Sequence, residues 1–256
     1  MMSENFSGQT VIVTGATKGI GRAIAVAFGK AGANVLASGR NTQELDSVCL
    51  DIEQAGSKAI GLVADLALEE SPQIIANQAL ESYGRIDVLI NNAAIIHDSA
   101  TLVEFDPKIW KLVLQVNLVA PVFLTQAVLP DMIQRGSGKI INISSIGGTR
   151  GGAGRSAYRA TKAGLISLTE SVAAEVKEFG IDVTSICPGA TDTEGFRSAF
   201  DHKGRQQDAN LMVPHEIAEL ALFLASGKSS AITGTAIHAF GATNPIFQSG
   251  AKRGKI

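Results

Sequence analysis

Thr10-Val11-Ile12-Val13-Thr14-Gly15-Ala16-Thr17-Lys18-Gly19-Ile20-Gly21 runs five β-forming residues into three spaced glycines. The apolar run reads as a strand over Thr10 to Thr14, and the periodic stretch after the glycines reads as a helix near Ile20 to Ala31. Glycines at such a junction permit a tight turn, let backbone N–H groups approach a pyrophosphate and let the helix pack closely on the sheet. The positive end of the helix favours the phosphate charge. Three residues separate the first two glycines, and a glycine pattern alone is weak evidence, so a strand-to-helix turn without a ligand is the plain alternative.

Outward from this junction, strand and helix alternate. The apolar runs and turn residues predict strands at Asn34 to Ser38, Lys58 to Ala64, Ile86 to Asn91, Lys139 to Ser144, Asp182 to Cys187 and Ala231 to Ala239. They predict helices over Thr42 to Ala55, after Ser71-Pro72, from Asp106-Pro107, over Ser156 to Glu178 and after Pro214. Pro121 should bend or interrupt the long fourth helix, because proline deletes an intrahelical hydrogen bond. Seven strands result, mostly Val/Ile/Leu-rich without alternation, as expected of a parallel sheet covered on both faces. The fold class is doubly wound α/β in a single domain over 1–256, with a polar excursion at 192–212 that could serve as a lid.

Composition narrows the function. The 256 residues are 45% apolar and 18% charged, with 22 basic and 24 acidic residues, so there is no electrostatic footprint for nucleic acid or an anionic membrane. No signal-like N-terminus and no uninterrupted run of about 18 apolar residues stand in the sequence, so a cytoplasmic enzyme is expected. Two cysteines, Cys49 and Cys187, make no disulfide framework, and four scattered histidines lack metal-ligand spacing. No metal is expected.

Tyr158 and Lys162 stand at i and i+4, on one face of a predicted helix. A free phenol has a pKa near 10, and a nearby cation lowers the cost of ionising it. Ser144 and Ser145 close the preceding strand, where an open α/β sheet presents ligand-facing side chains at its carboxyl edge. Asn117 interrupts an apolar helical stretch, so its amide must find partners. At the end of the second strand, Gly39 and Arg40 stand where a carboxylate would bind both ribose hydroxyls of NAD. Arg40, with Lys18 of the glycine loop, suits a 2′-phosphate, so NADP(H) is preferred to NAD(H). Arg150 and Arg155, with Arg197, Lys203 and Arg205 in the excursion, could favour an anionic substrate or be solvated loop cations. His97 and Asp98 follow the fourth strand and could line the substrate pocket, with no role assigned to either.

Over essentially its whole length the chain resembles the short-chain dehydrogenase/reductase family. Thr14, Gly15, Gly19, Ile20 and Gly21 match the family's T-G-x-x-x-G-I-G in place, which brings Thr17 and Lys18 to the cofactor as well. Asp65, followed by Leu66, is similar to the family acid that contacts the adenine, and Asn91-Asn92-Ala93-Ala94 looks like N-N-A-G with alanine at its last position. Pro188, Gly189, Thr191 and Thr193 resemble P-G-x-x-x-T, which holds the nicotinamide carboxamide. The family's C-terminal T-G-x-x-x-x-x-D-G-G is altered here, with Phe240 at the aspartate and Ala242 at the last glycine.

The resemblance implies a catalytic set of Asn117, Ser145, Tyr158 and Lys162. Tyr158 would protonate a substrate carbonyl, Ser145 would hold its oxygen, Lys162 would hold the nicotinamide ribose, and Asn117 with a water would restore the proton. The implied reaction is hydride transfer between NADP(H) and a carbonyl or secondary alcohol, with ketone reduction the main reading. The alternatives are an NAD-dependent alcohol or diol dehydrogenase and a non-catalytic dinucleotide sensor or scaffold. The implied partners are a small-molecule substrate and further copies of the chain, as a homotetramer or homodimer.

Overall fold

In a computed structural model, residues 5–200 and 211–243 are described. Seven strands form one parallel sheet: β1 (Thr10–Thr14), β2 (Asn34–Gly39), β3 (Ala59–Val63), β4 (Val88–Asn91), β5 (Gly138–Ile143), β6 (Ile181–Pro188) and β7 (Thr235–Ala239). Their order is β3-β2-β1-β4-β5-β6-β7, so the chain reverses direction across the sheet between β1 and β4. A crevice opens there at the carboxyl ends of the strands, where doubly wound sheets bind ligands.

Eight α-helices flank the sheet among the described residues: α1 (Gly19–Lys30), α2 (Thr42–Gln54), α3 (Ser71–Tyr83), α4 (Pro107–Leu114), α5 (Ala120–Arg135), α6 (Ser156–Val176), α7 (Glu194–Phe200) and α8 (Pro214–Ala225). Successive strand residues point to opposite faces, and both faces are apolar. Val11, Val13, Val35 and Ile90 pack with Phe28 of α1, Ile52 of α2 and Leu224 of α8. Ile12, Leu36, Leu89 and Ile140 pack with Ile75 of α3, Leu124 of α5 and Val176 of α6. The inner strands β1, β4 and β6 are buried throughout, whereas the outermost strands β3 and β7 are partly exposed.

Several boundaries differ from the sequence reading. Ile86 and Asp87 precede β4, because the Ile86 N–H is taken by Asp131 Oδ2 of α5 at 2.9 Å rather than by a neighbouring strand. The seventh strand begins at Thr235, after a turn at Gly234 with φ +61°. The excursion at 192–212 contains the short helix α7, whose seven residues are too few to carry a periodic signal; residues 201–210, with Lys203 and Arg205, lie outside the described residues.

The long fourth helix is interrupted as Pro121 requires. Between α4 and α5, Gln115–Val119 forms a π-helical turn, with the Ala120 N–H reaching back to the Gln115 carbonyl. Pro121 has no N–H for the carbonyl of Asn117, four residues earlier, so the wider turn forms where the α-helical ladder would lack a donor. The continuous helical span Pro107–Arg135 is long and apolar enough by composition to cross a membrane. Here it packs on the sheet through Leu124, Val128 and Met132, and it buries polar Asn117 and Thr125.

Candidate active site

The glycine loop is fixed to the start of the next crossover by side-chain hydrogen bonds. Thr14 Oγ1 accepts the N–H groups of Asn92 (3.0 Å) and Ala93 (3.1 Å), and Asn92 Nδ2 donates to the carbonyls of Thr14 (2.8 Å) and Gly15 (3.1 Å). Gly15 and Gly19 have φ of +62° and +56°, conformations that side chains oppose. A Cβ at Gly21 would overlap the Gly15 carbonyl oxygen and Asn92 Nδ2. Asn92 thus sits where only glycine leaves it room, and the loop is held open toward the α1 N-terminus.

That loop forms one wall of a cavity of about 510 Å³, which Ser38, Gly39 and Arg40 continue at the end of β2 and Asp65 and Leu66 continue after β3. Asp65 Oδ1 accepts the Ala67 N–H at 3.0 Å. Of the sequence-predicted cofactor residues, Thr17, Lys18, Ile20, Asn92, Ala93 and Ala94 also line this space. Thr14 is buried beneath it as a clamp between β1 and β4. Lys18 is engaged: its ammonium lies 3.3 Å from the Glu194 carboxylate and 3.8 Å from that of Glu44. Arg40 is exposed at the rim.

A second cavity of about 400 Å³ adjoins the first, sharing Ile20, Ala94 and Thr193 with it. Ser145, Tyr158 and Lys162 line it together with Pro188, Gly189 and Thr191. Ser145 Oγ accepts the Gly147 N–H at 3.0 Å, which leaves its own proton to donate elsewhere. Ser144 instead donates to the Lys162 carbonyl at 2.7 Å, tying the end of β5 to α6. Lys162 Nζ lies 5.8 Å from the centre of the Tyr158 ring and donates to the Ile143 carbonyl at 2.7 Å.

Asn117, fully buried in the π-helical turn, closes a two-way bond with Ile95: its Oδ1 accepts the Ile95 N–H (2.8 Å) and its Nδ2 donates to the Ile95 carbonyl (3.0 Å). Nδ2 also reaches Thr161 Oγ1 at 3.4 Å. The amide is therefore spent on holding the segment after β4 against α6. Among the described residues no cluster of His, Cys, Asp and Glu could hold a metal.

A family model described as short chain dehydrogenase matches residues 9–204. This chain belongs to the short-chain dehydrogenase/reductase family. It is 35% identical over 236 residues to the 3-oxoacyl-[acyl-carrier-protein] reductase of Thermotoga maritima, covering 90% of this chain and 95% of the relative. To the enzyme of the same name from Vibrio cholerae it is 33% identical over 242 residues, covering 93% and 98%. Among solved structures, a candidate NAD(P)-dependent gluconate 5-dehydrogenase from Beutenbergia cavernae, with NADP bound at low occupancy, superposes with a TM-score of 0.85 at 35% identity. Levodione reductase superposes with a TM-score of 0.88 at 27% identity. Each structure is matched over 98% of its chain and 93% of this one. The dehydrogenase/reductase is an NAD(P)-dependent oxidoreductase with a single Rossmann-like domain.

Ionisation in this dehydrogenase/reductase follows from burial. Desolvation raises the Tyr158 hydroxyl above its ordinary value, against the opposing pull of a Ser145 hydrogen bond and the charges of Arg155 and Arg159. Burial also lowers Lys162 to about 8. At neutral pH the phenol is protonated and can act as an acid.

Sequence reasoning gave no role to three contributors, one of which, His97, it expected only to line the substrate pocket and which lies instead behind Tyr158. His97, with 6% of its surface exposed, stacks edge-on to Phe105 and places Nε2 3.4 Å from the Tyr158 backbone nitrogen. Glu194 faces Lys18 across the cofactor cavity, and Arg159 lines the second cavity beside Tyr158. His97 and Glu194 act through segments distant in the chain, and Arg159, although next to Tyr158, carries no motif that marks it.

Proposed function

We propose that the enzyme reduces a small ketone with NADPH, with Tyr158 as the proton donor. The observation that carries this reading is the meeting of Tyr158, Ser145 and Lys162 in one cavity that opens onto the glycine-loop cavity. When bound, the dinucleotide supplies the hydride. The glycine loop and the α1 N-terminus would take its pyrophosphate, Asp65 and Leu66 its adenine, and Arg40 the 2′-phosphate. Pro188, Gly189, Thr191 and Thr193 would hold the nicotinamide end, with Ala94 beside it.

Tyr158 gives its proton to the carbonyl oxygen, and the Ser145 O–H donates to the same oxygen as negative charge develops there. Lys162 keeps two N–H groups beyond the one on Ile143 for the ribose. A relay through Asn117 would use its carbonyl, since its amide is committed to Ile95 and Pro121 offers that carbonyl no donor. Segment 192–212 would act as the lid, with α7 over both cavities. We place the enzyme in the cytoplasm, in keeping with two free thiols, as a homotetramer or homodimer. Exposed Ile109 and Phe123 on the α4–α5 span, with the partly exposed edge strand β7, support that assembly.

An oxidative reading with NAD⁺ has one feature in its favour, the engagement of Lys18 by Glu194. Spectrophotometric assay of a ketone and alcohol panel with both coenzymes decides between them. Tyr158→Phe is expected to lower turnover by about 10² to 10⁴ while NADPH still binds. An equally active Phe variant would refute the role of the phenol, and NADPH binding without turnover of any carbonyl would favour a sensor.

A further inference from the structure

The substrate-side cavity has a one-sided charge. Among the described residues, Arg150, Arg155, Arg159 and Lys162 line it and no Asp or Glu does, although the chain as a whole carries a formal charge of −2. The concentration of cations is therefore local to this cavity and does not reflect a basic protein.

The three guanidiniums are placed differently. Arg155 is buried and braces the site, donating to the carbonyls of His97 and Ala199. Arg159, one residue beyond Tyr158 on α6, spends Nη1 on the Arg150 carbonyl at 2.9 Å. Its Nε is buried and has no hydrogen-bond partner, and Gly152 packs so closely that a Cβ there would lie 2.7 Å from Cζ and Nη2. A buried N–H left unpaired is costly and needs an account. Arg150 is exposed on the same loop, and among the described residues its guanidinium makes no hydrogen bond or ion pair. The loop joining them carries Gly151, Gly152 and Gly154, so small shifts that uncover the Nε and Nη2 edge of Arg159 meet little side-chain resistance.

We propose that the substrate carries an oxyanion, a carboxylate or a phosphate monoester, a short chain away from the reacting carbonyl, and that Arg159 and Arg150 bind it. The inference rests on the ketone-reductase reading above and names its substrate class. The Nε–Nη2 edge of an arginine matches two oxygens of either anion in a fork. Ile96, Ile146 and Phe196 supply the apolar wall for the intervening carbons. Because Pro188, Gly189 and Thr191 of the nicotinamide end share the 400 Å³, the room left suits a substrate of a few carbons.

The test is a set of matched pairs assayed with saturating NADPH: levulinate against methyl levulinate, acetoacetate against methyl acetoacetate, and dihydroxyacetone phosphate against dihydroxyacetone. The charged member of at least one pair should have the higher kcat/KM by tenfold or more, and the pair that shows it distinguishes carboxylate from phosphate. In Arg159→Leu and Arg150→Met, the charged-to-neutral ratio should fall by about ten- to a hundredfold, mainly through KM. Arg159→Lys should restore part of it, keeping the charge without the fork. Because Arg159 adjoins Tyr158, the exposed Arg150 provides the variant whose folding is not at issue. Neutral members turned over as well as charged ones, or a ratio unmoved in both variants, overturns the inference and leaves the reductase reading standing. Turnover of no member by an enzyme that binds NADPH overturns this inference, and the wider ketone panel then decides the reductase reading separately.

Discussion

The ammonium of Lys18 and the carboxylate of Glu194 meet at 3.3 Å across the mouth of the cofactor cavity, joining the glycine loop to α7. Both side chains are more than half exposed, so the pair contributes little to stability, about 0 to 1 kcal/mol. Its consequence lies in coenzyme binding. Glu194 holds the one lysine of the loop and adds negative charge near the expected 2′-phosphate. Glu194→Gln should lower the KM for NADPH several-fold, with a much smaller change for NADH. The gain should shrink at high salt, because exposed charges are screened. Steady-state kinetics with both coenzymes at two ionic strengths check it.

With Lys18 shared between two carboxylates, the proposed NADP(H) preference rests principally on Arg40 as the cation for a 2′-phosphate. It sits at the cavity rim beside Gly39, where a Cβ would come 2.5 Å from Thr17 Cγ2, so the backbone there is held against the glycine loop. Arg40→Ala should raise the KM for NADPH by about ten- to a hundredfold, the worth of a charge-assisted hydrogen bond, and change that for NADH by less than threefold. Equal effects on both coenzymes would remove the basis for an NADP(H) preference.

The sheet and the cofactor crevice were legible in the sequence because both depend on local pattern. Val11 to Val13 and Val35 to Ala37 are short apolar runs beside turns, and Gly15, Gly19 and Gly21 announce a backbone that no side chain tolerates. Tyr158 and Lys162 were legible because one helix turn fixes their common face. His97 and Glu194 were not, since each matters only through a partner that the fold brings from elsewhere, and Arg159 was not, since neither a motif nor a period sets it apart from other surface cations. The same reason explains Ile86, which is as apolar as its neighbours in β4 but gives its N–H to Asp131. Helix α7 escaped notice because its seven residues, about two turns, are too few to establish an apolar period.

Burial of Lys162 links pH to both activity and stability. Its pKa in the folded enzyme is about 8, against an ordinary 10.5, so the folded state gives up this proton first as pH rises. Between about 8 and 10.5 the unfolded chain binds more protons at this site, and Lys162's contribution to stability therefore rises with pH. Lys162→Met should be more thermally stable than the parent at pH 7, where the parent buries a charge, and the difference in Tm should narrow by pH 10. Ketone reduction should decline as pH passes through about 8 and the ammonium is lost, since Tyr158, raised above its usual range, still holds its proton there. A flat profile from pH 7 to 9 with an intact fold would show that the ammonium takes no part.

His97 holds the backbone of Tyr158, the proposed proton donor. The first N–H groups of α6 lack partners within the helix, and Arg155 at the cap position supplies no side-chain bond. His97 Nε2 takes the Tyr158 N–H at 3.4 Å, and Nδ1 lies 2.6 Å from the Asp98 carbonyl. The two contacts require one tautomer, with the proton on Nδ1 donated to Asp98 and the Nε2 lone pair facing Tyr158. His97→Ala removes that acceptor and leaves a void beside Phe105, whose ring centre is 4.6 Å from the imidazole. It should lower kcat about tenfold while the KM for NADPH changes less than twofold, because the cofactor cavity does not include His97. His97→Gln, which restores an acceptor, should recover much of kcat even where Tm stays depressed. A kcat that tracks Tm across both variants would reduce His97 to a packing role, whereas recovery of kcat alone fixes it as the residue that aims Tyr158.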